Sequence, residues 1–182
     1  PIPKPLNGYS DKDSPFEFNL EKSKQLLIEA GYPNGINPLT GRRLELIIEV
    51  GSKGTGDTKQ MLDLMSDMFD RIGIKLMPSF NTWPAFIEKL NRRQAQIYQL
   101  GWVADYPDAE NFLQLFYSLN ESPGPNHSNY RNSEFDRLYE TIKPMYDSPE
   151  RTEILNKMSK IIINDSPWIF LYQPLSFGLV HN

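Results

Sequence analysis

The sequence lacks cysteine, has only two histidines and carries little excess charge. Without cysteine, the 182-residue chain can form neither a disulfide nor a thiolate metal site. His127 and His181 are far apart and neither has metal-ligand spacing around it, so we place them in a solvated loop and tail and predict no metal. The net charge of −4 is too small to indicate nucleic acid or an anionic membrane as a partner. No apolar run is long enough to span a bilayer.

Motifs that bind cofactors or activate nucleophiles are also missing. The glycine-rich segment Gly51–Asp57, GSKGTGD, lacks both the lysine–serine/threonine pair of a P-loop and the spacing of a dinucleotide loop. No serine or threonine stands in a nucleophile-elbow pattern. We therefore predict no cofactor. The segment is interpreted as a solvated connection between a strand and a helix. Such loops lie on the same sheet edge as Asp105, so Lys53 or the free amides of the loop could touch a ligand.

What the sequence does contain is an organising stretch, Tyr98–Phe116, YQLGWVADYPDAENFLQLF. Its first part, Tyr98–Val103, is apolar and aromatic with one glycine, which is typical of a buried strand. Pro107 lacks an amide hydrogen and disfavours helix at Tyr106, so the strand is expected to end near Tyr106. Asp108 then caps a short helix whose apolar residues recur at three to four positions: Phe112, Leu115 and Phe116.

The centre of the chain alternates strands and helices. Apolar alternation, helical periodicity and glycine or proline stops predict five elements, a strand at 44–50, a helix at 58–72, a strand at 74–79, a helix at 83–91 and a strand at 96–103. Connections of this length favour parallel strands with right-handed crossovers. The predicted fold class is therefore α/β, a mainly parallel sheet flanked by helices, in one domain spanning 1–182.

Finer predictions concern individual helices and the end of the chain. The buried stripe of the helix at 58–72 is predicted to be Met61, Met65, Met68, Phe69 and Ile72. Ser133 is predicted to cap a later helix, and Pro149 to lie near the start of another. Trp168–Tyr172 is predicted to be a short apolar strand.

Asp105 is the residue with the sharpest functional hypothesis. It is predicted at the carboxyl end of a strand, where open α/β sheets place ligand groups, between the rings of Trp102 and Tyr106. A partly buried carboxylate there could receive a cationic group such as an α-ammonium, and the rings would favour the same charge. The alternative is an aspartate that hydrogen-bonds turn amides. From composition and spacing alone, the structural role is favoured.

Two other function classes stay open at this point. Asp105 with Asp108 or Glu110 could form the paired carboxylates of a hydrolase. Asp108 is better explained as a cap, however, and Glu110 as a first-turn acid favoured by the helix dipole. The third class is a protein-interaction lobe that binds a partner through its aromatic residues and takes no small ligand.

Four stretches, in this order, resemble the extracytoplasmic solute-binding proteins of the oligopeptide/dipeptide ABC-transporter family. Phe18–Gly35 is similar to the family's lysine-rich helix ending in AGYPNG, and Leu100–Leu113 to its W-x-A-D-Y-x-D-P-x-N-F-L signature. Asn129–Glu140 resembles its N-x-x-F-D helix start, and Arg151–Pro174 its final helix and D-x-P-W-I-x-L-Y segment. One departure is Ala109, where the family often has proline.

The resemblance implies a fold and a function that composition does not. The family has two α/β lobes closing over a ligand, so this chain would be most of the C-terminal lobe, with the N-terminal lobe upstream. Asp105 matches the aspartate that receives a peptide's α-amino group, with Trp102, Tyr106 and Phe112 as candidate walls. The implied partners are an oligopeptide or other small solute and the membrane permease of an ABC transporter. The implied protein is not an enzyme and works in the periplasm or at the cell surface, free or lipid-anchored.

Overall fold

The computed structural model describes residues 1–10 and 16–174, which group into two compact units. We call Phe16–Trp102 the sheet unit, and residues 1–10 with 103–174 the helical unit. The division falls between Trp102 and Val103, inside the stretch Tyr98–Phe116. That 1–182 is one domain stays a prediction.

The sheet unit contains a three-stranded parallel sheet with helical crossovers. Its strands are β1 (Glu45–Val50), β2 (Lys75–Phe80) and β3 (Ile97–Gln99), joined by α2 (Asp57–Asp70) and α3 (Trp83–Asn91). The strand order is β2-β1-β3, with β1 in the centre and both pairings parallel. The predicted strand–helix–strand–helix–strand order and the α/β class are confirmed.

A helix precedes this sheet. α1 (Leu20–Glu29) begins after its N-cap residue Asn19, whose side chain accepts the Lys22 amide. A short 3-10 turn, Pro33–Gly35, follows in the AGYPNG segment. A Cβ atom on Gly35 would lie 2.2 Å from the carbonyl oxygen of Gly73, so this close approach requires glycine.

The core of the sheet unit lies between the sheet and α2. Its buried members are Ile48, Val50, Leu62 and Leu76. On α2 the residues facing this core are Leu62, Met65 and Phe69, spaced three and four apart. The predicted methionine stripe is therefore wrong in part: Leu62 is the fully buried residue, and Met68 is 42% exposed.

The third strand is much shorter than its apolar run. β3 covers three residues instead of the predicted eight at 96–103. Its last pair is Gln99 with Val50, where β1 itself ends and the chain enters the Gly51 loop. Within the described residues no strand continues the pairing beyond Gln99, so the apolar sequence that follows is not strand.

The helical unit is built from one short and two longer helices. These are α4 (Glu110–Leu113), α5 (Ser133–Ile142) and α6 (Pro149–Asp165), with 3-10 turns at Gln114–Phe116 and Ser118–Asn120. Its core joins one face of each helix, with the fully buried side chains Leu113, Phe116, Phe135, Ile142, Leu155, Met158 and Ile162. Pro149 is the first residue of α6, which confirms its predicted place near a helix start.

Two predictions for this unit are wrong. Asn132, not Ser133, caps α5: its side-chain oxygen accepts the amides of Glu134 and Phe135. The predicted strand Trp168–Tyr172 is irregular backbone, because none of the strands in the described ranges pairs with it. The Trp168 ring packs instead on the Phe116 ring, with 4.6 Å between the two ring centroids.

Candidate functional site

Asp105 lies in a tight turn that leads into α4. Its backbone amide donates to Oδ1 of the fully buried Asn111 at 3.3 Å, and the Asp108 amide donates to the Tyr106 carbonyl at 2.8 Å. The turn is thus held through its backbone. The Asp105 carboxylate itself is exposed and accepts no hydrogen bond or ion pair from the described part of the chain.

The predicted setting of Asp105 needs two corrections. It does not lie at the end of a strand, since β3 stops at Gln99. It is also exposed rather than half-sheltered between rings, because Tyr106 is 47% exposed. The structural alternative, in which the Asp105 carboxylate accepts hydrogen bonds from amides of its own turn, is not observed. The Asp105 amide donates to Asn111 and the Glu110 amide to Asp108.

A cavity of about 370 Å³ opens beside Asp105 within the helical unit. Three predicted site residues line it together: Asp105, Tyr106 and Phe112. The opposite wall comes from residues 3–6, which sequence reasoning missed. Those residues form a proline-rich coil without periodicity, so no local pattern connects them to a position a hundred residues later.

The tyrosine beside Asp105 is fixed by Glu110. The hydroxyl of Tyr106 donates to one carboxylate oxygen of Glu110, and the hydroxyl of the buried Tyr139 donates to the other. The hydrogen bond to Glu110, together with burial, raises the pKa of Tyr106. Burial and then Glu110 raise the pKa of Tyr139 well above its ordinary value. Both hydroxyls therefore stay protonated donors at neutral pH.

Asp108 is tied to α6 by a buried arginine. Arg151, whose side chain is 6% exposed, donates to Asp108 Oδ1 at 2.7 Å and to Asp147 Oδ1 at 3.0 Å. The same Asp108 oxygen accepts the amide of Glu110, the first residue of α4, at 2.7 Å, although the N-cap position itself is occupied by Ala109. Burial tends to raise the pKa of Asp108, but the hydrogen bonds from Arg151 and the Glu110 amide and the arginine charge outweigh it and lower the pKa.

These contacts argue against the hydrolase interpretation. A paired-carboxylate mechanism needs a second carboxyl free to exchange a proton beside Asp105. Asp108 is occupied by Arg151 and a helix amide, and Glu110 accepts two tyrosine hydroxyls. Neither is placed to act as a general acid or base.

The remaining predicted site residues belong to the sheet unit. Trp102 is partly buried, and Lys53 is exposed in the loop after β1. A second cavity, of about 180 Å³, lies in this unit where β1 and β3 end, and its wall includes Gly51, Trp83 and Gln99. In the order β2-β1-β3 the chain changes direction between β1 and β3, which is where parallel sheets open a ligand crevice.

Trp83 lines the second cavity but is not among the predicted site residues. Its ring packs closely against Gly51. A Cβ atom on Gly51 would lie 2.9 Å from the Trp83 ring and 2.8 Å from the Phe86 ring. Only glycine therefore lets the first turn of α3 approach the end of β1. In the sequence, Trp83 was assigned only to the start of a helix.

The histidines and acidic residues in the described part of the chain do not form a metal site. Within residues 1–10 and 16–174, no three His, Cys, Asp or Glu side chains lie together as metal ligands would. His127 is partly buried rather than solvated, and burial lowers its pKa. His181 lies outside the described residues. Within the same ranges, none of the helices could cross a membrane.

The sheet unit has a parallel sheet with crossover helices, and each unit has a cavity whose wall includes aromatic residues together with proline or glycine. These are the features of a ligand-binding α/β protein of the periplasmic-binding type. The family model for bacterial extracellular solute-binding proteins, family 5 Middle, matches residues 1–124. The chain belongs to this family.

Individual relatives agree with the family match. Heme-binding protein A of Haemophilus influenzae is 28% identical over 178 residues, which cover 98% of this chain and 32% of that protein. Oligopeptide-binding protein AppA of Bacillus subtilis is 27% identical over 176 residues, covering 92% and 32%. The solved structure of the periplasmic binding protein DppA from Helicobacter pylori, in complex with the peptide STSA, matches with a TM-score of 0.77 and 27% identity over 91% of this chain and 31% of that one. The chain spans about a third of the length of these relatives.

Proposed function

We propose that this chain is most of one lobe of a two-lobe solute-binding protein that captures a peptide or another amino-bearing solute for an ABC importer. Asp105 receives the α-amino group of the ligand, and Tyr106 and Phe112 form part of its wall. The observation that carries the proposal is a carboxylate without a partner in the described residues, on a turn held by its backbone, at the edge of a 370 Å³ cavity.

The Asp105 end of the cavity favours a cation over an anion, whereas Lys4 contributes a positive charge to the wall formed by residues 3–6. A carboxylate attracts an ammonium group and repels the carboxylates of an acidic ligand. An aromatic ring in the same wall attracts cations further. Relatives are named for heme and for peptides, and this arrangement favours the second ligand type, because a peptide offers a free amine.

The exposure of Asp105 in this chain fits a lobe whose cleft is completed by a second lobe. Closing two lobes over a ligand excludes water, and a charge pair in lower dielectric is stronger than an exposed pair. The proposed partners are therefore the N-terminal lobe of a longer chain, a small solute and a membrane permease. The proposed location is outside the cytoplasm.

A substitution that keeps the shape of Asp105 but removes its charge tests the proposal. In the longer protein, Asp105→Asn should weaken binding of a free-amine peptide by roughly 2–5 kcal/mol, the cost of breaking a desolvated charge pair. Calorimetry with the same peptide in N-acetylated form is the internal control, since that ligand has no ammonium to lose. The affinity for the N-acetylated peptide should be low and nearly equal in the wild type and the variant.

The matched protein control is Asp67→Asn, which removes an exposed carboxylate of α2. It should leave both affinities unchanged. A loss below about 0.5 kcal/mol for Asp105→Asn with the free-amine peptide, the size typical of exposed pairs, would return Asp105 to a structural role.

A further inference from the structure

We propose that Tyr139 is a positioning residue for the cavity beside Asp105, acting through Glu110 to hold the Tyr106 ring in the cavity wall. Tyr139 is on α5, far from Asp105 in sequence, and is not among the residues that line the cavity. The inference deepens the proposed function and rests on it for the ligand, although the relay itself can be tested without one.

The Tyr106 side chain is held mainly through hydrogen bonds of its hydroxyl group, which contacts Glu110 and the buried Asn111 side chain. The side chain is 47% exposed, so packing restrains its rotamers only in part. Its hydroxyl bond to Glu110 is charge-assisted, and such bonds are about twice as strong as neutral ones. The orientation of the ring at the cavity therefore depends on the position of the Glu110 carboxylate as well as on Asn111.

Glu110 is in turn held by a rigid group. It begins α4, a helix of only four residues, which gives its side chain little support of its own. Tyr139, in contrast, is 3% exposed and stacks on Tyr117, with centroids 4.5 Å apart and planes 29° apart. Its hydroxyl on the second Glu110 oxygen transmits that rigidity to the carboxylate.

The stacked pair supplies a matched control. Tyr117 is also buried, and its hydroxyl also donates to a glutamate, but to Glu140, which does not bond Tyr106. Replacing either tyrosine with phenylalanine removes one hydroxyl and one tyrosine–glutamate bond while keeping the ring. Only Tyr139→Phe should disturb the cavity wall.

The ligand-free experiment is NMR on this chain with labelled tyrosines, in which Tyr106→Phe assigns the signal. Tyr139→Phe should move the Tyr106 ring resonances and speed its ring flips, and Tyr117→Phe should leave them in place. Glu110→Gln, which can no longer accept both hydroxyls, should reproduce the Tyr139→Phe spectrum. Equal changes for both phenylalanine variants, or no change for either, would overturn the relay.

The binding experiment uses the longer protein and the free-amine peptide. Tyr139→Phe should weaken binding about three- to tenfold, the range of an indirect coupling through one contact, and Tyr117→Phe should not. Unchanged affinity for Tyr139→Phe would overturn its role at the ligand site, even if the NMR signal moves. The proposed function fails separately, when Asp105→Asn has no effect on the same peptide.

Discussion

At the scale of single residues, the most constrained group near the candidate site is Arg151. It is buried, and its two carboxylate partners come from different segments, Asp108 before α4 and Asp147 before α6. A buried guanidinium is costly unless it is paired and hydrogen-bonded. Asp108 therefore both neutralises this charge and starts the helix that follows the Asp105 turn.

The first prediction concerns this pair and pH. Because the pKa of Asp108 is lowered in the folded protein, its stabilisation is complete above the unfolded pKa and is lost as pH falls through the folded pKa. Asp108→Asn should cost roughly 2–3 kcal/mol at pH 7, since Arg151 keeps Asp147 as a partner. The variant should also lose less stability than wild type on acidification to pH 3. Urea unfolding at both pH values measures this.

An exposed ion pair provides the control for that measurement. Asp63 pairs with Lys59 on α2, with side chains 62% and 61% exposed. Asp63→Asn should change stability by no more than about 0.5 kcal/mol at pH 7. If Asp108→Asn behaved like Asp63→Asn, the buried pair would not stabilise the turn.

At the scale of elements, sequence patterns located most helices and strands but misplaced some of their ends. The helix at 83–91 and the strand near 45–50 agree with prediction, because proline, glycine and alternation act locally. α5 was assigned the wrong cap, since Asn132 and Ser133 are both good capping residues and only the backbone decides between them. At Asn132 the backbone is extended, as an N-cap requires, and Ser133 is already helical.

The second prediction separates these two residues. Asn132→Ala should destabilise the protein by about 1–2 kcal/mol, because it removes the acceptor for two amides at the start of α5 and a bond to Asp165. Ser133→Ala should cost a few tenths of a kcal/mol at most, within the usual range for an exposed helical position. Thermal unfolding of both variants checks the assignment, and the reverse order of costs would contradict it.

At the scale of the whole molecule, the proposal that this chain is one lobe carries its own prediction. The 182-residue chain should fold but bind mixed short peptides poorly, since it would supply only part of the contacts and could not exclude water from the charge pair. A longer protein containing both lobes should bind them tightly. Calorimetry on the two proteins, with identical peptides, makes the comparison. Equal tight binding by both would contradict the two-lobe proposal.

Much of the candidate site could be predicted from sequence, although not its surroundings. Asp105, Tyr106 and Phe112 were identified from one motif and do line one cavity. The wall at residues 3–6, the Trp83 ring beside Gly51 and the bond from Tyr139 to Glu110 were not predicted. Each joins residues from separate segments, and neither periodicity nor a turn signal reports such contacts.

By itself, the sequence determined the α/β class, the order of the central elements and the identity of Asp105 as the residue to examine. Those features depend on side-chain alternation, helical spacing and capping, which act over a few neighbouring residues. Tertiary structure alone decided that β3 stops at Gln99, that Asp105 is exposed and that Glu110 receives two tyrosines. Strand length, exposure and such hydrogen bonds depend on which distant segment lies alongside, and that is settled only when the chain packs.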